Sequence, residues 1–143
     1  MRLKHIVYCL SVAIILTACS KSGDSPTPNP PSPPPTPSEA AIVFSIDIDP
    51  GSGSIFAATG ASQALKVNVS SNLPTAGVVV DVKTTRDSDN TVISSSSLSS
   101  TAAITSASID SLKPGVLCTA TIIVTSKSTS SNSATKTFKI VRK

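Results

Sequence analysis

Cys118-Thr119-Ala120-Thr121-Ile122-Ile123-Val124-Thr125 decides the fold. Successive side chains of an extended chain point to opposite sides, so Cys118, Ala120, Ile122 and Val124 share one face. Thr119, Thr121, Ile123 and Thr125 share the other. This is the signature of a strand with a buried face, and the β-branched content suits it. Pro114-Gly115 precedes the run and Ser131-Asn132 follows it, both turn signals. Beyond the second turn, Phe138 and Ile140 oppose Thr137, Lys139 and Val141.

The same period appears upstream. Ile42, Phe44, Ile46 and Ile48 oppose Val43, Ser45, Asp47 and Asp49; Leu65, Val67 and Val69 oppose Lys66, Asn68 and Ser70; Val78, Val80 and Val82 oppose Val79, Asp81 and Lys83. Thr105, Ala107 and Ile109 make a weaker strand. Pro50-Gly51, Asn72-Leu73-Pro74 and Asp87-Ser88-Asp89-Asn90 punctuate the series. Ser94 to Ser100, six serines in seven residues, reads as an edge strand or loop with little burial. About seven short strands in roughly 100 residues predict an antiparallel, immunoglobulin-like β-sandwich over residues 40–143.

The rest of the 143-residue chain has a different composition. Eight of the eleven prolines fall between Pro26 and Pro37. Proline donates no backbone hydrogen bond and favours polyproline II, so residues 19–39 read as a disordered Pro-rich linker. Ser20 to Ser38 would extend roughly 60 Å at ~3.1 Å per residue.

Residues 1–18 read as a leader. Arg2 and Lys4 precede an apolar run from Ile6 to Leu16, which is shorter than the ~20 residues a membrane-spanning helix needs and suits a signal-peptide core. The run ends in Leu16-Thr17-Ala18-Cys19, which resembles the lipobox of bacterial lipoproteins. The resemblance implies that Cys19 receives a diacylglyceryl group, becomes the first mature residue and tethers the chain to a membrane. Two or three acyl chains, at ~0.8 kcal/mol per buried CH₂, make a stable anchor. The implied location is the cell envelope, at the outer membrane, with the head either surface-exposed or periplasmic.

Composition excludes several functions. Charged residues are 14% and apolar residues 39%, which excludes a charge-driven disordered chain. Met1, His5 and Tyr8 all fall in the leader, so the mature chain would hold no Met, His, Tyr or Trp. Without His there is no Ser-His-Asp triad, no Cys-His pair and no His-based metal site, and no enzyme is expected. Removing Arg2 and Lys4 leaves ten basic residues against eight acidic ones, so the net charge falls from +4 to +2. No basic cluster is interleaved with aromatics, and nucleic acid is not an expected partner. Cys118 is the one thiol left after Cys9 and Cys19, and its alternating apolar setting reads as a buried core thiol.

Leu112-Lys113-Pro114-Gly115-Val116-Leu117-Cys118 resembles the fibronectin type III pattern at the corner entering the sixth strand, with Cys118 where that family has Tyr. Ser126 to Lys143 resembles the closing hairpin of immunoglobulin-like domains in lipoproteins of Bacteroides relatives. These resemblances imply a non-catalytic binding or adhesion module for an unidentified protein or glycan, or else an accessory subunit of an envelope complex. No cofactor is implied beyond the lipid on Cys19.

Three polar features remain. In such a sandwich Asp49, Asp87, Asp89 and Asp110 fall in turns expected to gather at the end farthest from the lipid. Asp87-Ser88-Asp89-Asn90 has the oxygen spacing of a partial Ca²⁺ loop but lacks the Gly and closing Glu of an EF-hand, and plain solvated turns explain it too. Arg86, Lys113, Arg142 and Lys143 should lie at the same end, where they can pair with these acids. Asp110-Ser111-Leu112 resembles the acceptor of Bacteroides-type O-glycosylation, with Ser111 as the acceptor; a plain turn explains it equally well.

Overall fold

The computed structural model describes residues 38–143. The leader (1–18) and nearly all of the linker, including Leu16, Thr17, Ala18 and Cys19, lie outside the described residues. Those described form eight strands and no helix: β1 (Phe44–Ile46), β2 (Ile55–Ala58), β3 (Gln63–Val69), β4 (Val78–Arg86), β5 (Val92–Ser100), β6 (Ile104–Ile109), β7 (Leu117–Ser126) and β8 (Ser133–Arg142). A three-stranded sheet, β1-β3-β6, faces a five-stranded sheet, β2-β8-β7-β4-β5. The molecule is the all-β sandwich that the alternation predicts.

Alternation becomes burial strand by strand. Cys118, Ala120, Ile122 and Val124 of β7 are fully buried, as are Val78 and Val80 of β4 and Ile140 of β8. Leu65, Val67 and Val69 of β3, with Phe44, Ile46 and the preceding Ile42, close the core from the other sheet. Burying an aliphatic side chain contributes roughly 1.5–3 kcal/mol. The core therefore rests on the sum of these faces. β4 lies between β5 and β7 in an antiparallel ladder, with Val82 opposite Ser96 on one side and Ile122 on the other.

β2 departs from the sequence expectation. It pairs parallel to β8, Ile55 with Lys139 through Ala58 with Arg142, while every other pairing between these strands is antiparallel. Its four residues show no alternation: Ile55 is half exposed, Phe56 and Ala57 are intermediate, and only Ala58 is buried. A parallel partner needs a long crossover, and this one lies some 80 residues downstream, so no local pattern announces it.

Two ends of the sandwich have different roles. At one, the β7–β8 turn receives the incoming chain: Asn132 Oδ1 accepts from the Ile42 N–H at 3.0 Å, and its amide group donates to the Ala40 carbonyl at 3.0 Å and to Glu39 at 3.2 Å. The Ser128 hydroxyl also donates to Glu39. At this end Gly77 has φ +83°, and a Cβ there would overlap the Ser100 carbonyl oxygen at the end of β5. The other end gathers the β4–β5 turn, the β6–β7 segment and the end of β8.

Candidate functional site

Backbone hydrogen bonds tie this second end together. Asp87 N–H donates to the Leu117 carbonyl at 3.1 Å, Gly115 N–H to the Arg142 carbonyl at 2.9 Å, and Lys143 N–H to the Ala58 carbonyl at 3.0 Å. The turn chemistry is local and specific. Asn90 and Ser111 adopt left-handed backbone (φ 56° and 63°), and Gly115 after Pro114 does the same at 68°. Asn tolerates that region better than most residues, and Gly adopts it freely.

Three of the four aspartates singled out in the sequence lie here, and each has its own donors. Asp87 accepts from the Thr119 hydroxyl at 2.6 Å and from Lys139 Nζ at 2.5 Å, and Lys139 also reaches Thr119 Oγ1 at 2.8 Å. Lys139 chiefly, then Thr119, holds the Asp87 carboxyl below its ordinary pKa. Asp89 accepts from the Thr91 N–H and from Arg86, both at 3.0 Å, and the Thr91 N–H is the main cause of its lowered pKa. Asp110 accepts from the hydroxyls of Ser62 and Ser108, which lower its pKa in that order.

Asp49 does not join them. Lys136 holds it with a contact of 3.4 Å, and Lys136 pairs in register with Ile122 at the middle of β7. The Gly51 N–H at 3.0 Å is the main cause that lowers its pKa. The expected convergence is thereby corrected: the β1–β2 connection is long enough to carry β2 across to β8, and Asp49 stays on the flank, lining a groove with Thr119 and Lys139, the partners of Asp87, rather than joining the turns. Among the described residues no group of three or more His, Cys, Asp or Glu side chains is placed to hold a metal ion.

Of the cations expected at this end, Arg86 does pair with an acid. Arg142 instead donates to the Leu112 carbonyl at 3.3 Å, and its Nε is buried without a partner. Lys136 and Lys139, which no local motif marks, take Asp49 and Asp87. Their partners lie 87 and 52 residues away, and Thr119 is 32 residues from Asp87, so only the sheet register reveals them. Ser111 is exposed, between a bonded Asp110 and a buried Leu112.

Chemically, this end presents short turns in which Asp87 and Asp89 are ion-paired while Asp110 is held by hydroxyls alone. Two open, shallow grooves flank the exposed Leu117, one beside Arg86 and Lys113 and the other beside Gly53 and Lys139. Cys118 lies beneath, fully buried, and burial raises its thiol pKa. That disfavours the thiolate a nucleophile requires. No protein-family model, curated protein or solved structure matches this chain.

Proposed function

We propose that the chain is an exported lipoprotein, anchored to the cell envelope through Cys19, whose immunoglobulin-like head makes non-catalytic contacts with a protein or glycan. One observation carries the reading furthest. The chain enters the sandwich beside Asn132, while the Asp87, Asp89 and Asp110 turns occupy the opposite end, as a head on a stalk requires. The sequence adds the Leu16-Thr17-Ala18-Cys19 signal and the Pro-rich segment. The strand order, with β1-β3-β6 facing β8-β7-β4-β5 and a short β2 beside β8, supports an immunoglobulin-like classification. Contacts on this reading come from a shallow surface that carries both signs of charge.

A second reading, an accessory subunit docked permanently in an envelope complex, is favoured by the uncovered strand β5 at the sheet edge. Protease treatment of intact cells separates the two, with Cys19→Ala as the unanchored control. Cleavage of the head on whole cells is the result expected for surface display. Protection until the envelope is broken would contradict display and support the accessory role.

A further inference from the structure

The two flanks of the sandwich are defended unequally. On one, the edge strands β1 and β2 have three and four residues, and Asp47, Asp49, Pro50 and the half-buried Lys136 stand around them. Short strands, proline and charges near an edge are devices that prevent strand-to-strand association. The other flank has none of these three, and its one irregularity is a bulge at Ile93, outside the run from Ser94 to Ser100. From Thr91 to Ile109 the sequence contains no charged residue and no proline, and this stretch supplies both edge strands there, β5 and β6. β5 runs for nine residues with β4 on one side only.

We propose that this edge pairs with a second copy of the chain, β5 antiparallel to β5 about a two-fold axis through Ser96. Three observations select this occupant and register. First, serine dominates the strand, so self-pairing about Ser96 sets small side chains against one another: Ser95 opposite Ser97 on the outer face, and Ser94 opposite Leu98 on the inner. Second, Ser96 Oγ is buried with no hydrogen-bond partner. A rotation about its Cα–Cβ bond would turn it from the inner face toward its own counterpart on the axis, and cross-strand hydroxyl pairs hydrogen-bond at that spacing. Third, Lys83 lies beside Ser95 and Asp81 beside Ser97 on β4, and neither forms an ion pair among the described residues. An axis at Ser96 aligns each Lys83 with the other copy's Asp81. An axis at Ser95 or Ser97 would align like charges instead. At three strand spacings, about 14 Å between backbones, the attraction is largely screened at ordinary salt, so it biases register and adds little affinity. The product is one continuous ten-stranded sheet.

The test uses the full chain in detergent with Cys9→Ala and Cys19→Ala, leaving only the buried native thiol. Light scattering should give twice the monomer mass at about 100 μM, a concentration that reports even a weak interface. Ser96→Lys places two ammonium groups face to face at the axis; it should raise the dimer dissociation constant by about tenfold or more while the monomer still melts cooperatively. Ser96→Cys provides an independent readout, because paired strands hold facing Cα atoms about 4.5–5.5 Å apart, within disulfide range. It should cross-link with its counterpart under mild oxidation, whereas Ser95→Cys and the turn variant Ser130→Cys should not. A monomeric parent chain, a dimer unaffected by Ser96→Lys, cross-linking no faster at 96 than at 130, or open-ended growth beyond the dimer would each overturn the proposal.

Discussion

Strands β5 and β7 flank the same strand, β4, over nearly the same length, yet they are opposites in chemistry. β7 presents Cys118, Ala120, Ile122 and Val124 to the core at zero exposure. β5 presents Ser94, Ser96 and Leu98 opposite the same β4 residues as Ala120, Ile122 and Val124, and none of them is fully buried. The backbone ladder is shared, so the difference lies in what the side chains remove from water. β7 is held by packing, and β5 by hydrogen bonds to β4 and a few apolar atoms of Ile93 and Leu98. One sheet thus contains both the centre of the core and a strand with little of its own to hold it.

The sharpest way to break this comparison is to truncate both strands. Ile122→Ala should cost about 2–5 kcal/mol, the range for deleting a fully buried aliphatic side chain. Leu98→Ala should cost about 1 kcal/mol or less, because the surroundings of a partly exposed edge site collapse or hydrate. Urea denaturation of the two variants reads the difference directly, and equal losses would erase the distinction.

Gly77 probes the junction where the β3–β4 loop meets the end of β5. Its positive φ and the closeness of the Ser100 carbonyl mean that Gly77→Ala must shift backbone, with an expected loss of about 1–3 kcal/mol. The same denaturation experiment checks it, and a variant as stable as the parent would show that the β5 end yields without cost.

Thr84 predicts a change of opposite sign. It sits on β4 opposite Ser94, fully buried, with its hydroxyl unpartnered. Thr84→Val removes an orphaned polar group while preserving shape, so stability should rise by about 1 kcal/mol. Destabilisation would mean that the hydroxyl has a partner.

The smallest effect belongs to the polar end. The folded-state pKa of Asp87 is depressed, so its contribution is fully present above the unfolded carboxyl value and is lost as pH falls through the folded one. Lys139 is about half exposed, which limits that contribution to about 0.2–1 kcal/mol. Asp87→Asn should therefore lower stability slightly at pH 7 and flatten its decline below pH 4. Thermal melts between pH 2 and 7 measure both.

How much was legible in the sequence follows the same division. Every strand with an apolar residue at i and i+2 announced itself: the Ile42–Ile46 face, Leu65–Val69, Val78–Val82, Cys118–Val124 and Phe138–Ile140 are all buried as the alternation requires. β2 did not, because its short, non-alternating run is specified by a distant parallel partner. Ser94–Ser100 was ambiguous between strand and loop because serine carries no periodic hydrophobicity; β4 decides its conformation. At the site, the Asp87, Asp89 and Asp110 turns were readable from their turn residues. Their partners Ser62, Thr119 and Lys139 were not, since register brings them close. Asp49 parts from the other turns for the reason that hides β2: a distant partner on β8 sets its place.

Amide hydrogen exchange on the full chain, resolved by strand and run at low and high protein concentration, tests the central contrast most directly. β4 and β7 should exchange slowest at both concentrations, and β5 should exchange quickly when dilute and become protected when concentrated. Equal protection of β5 and β7 in dilute solution, or a β5 indifferent to concentration, would contradict that contrast.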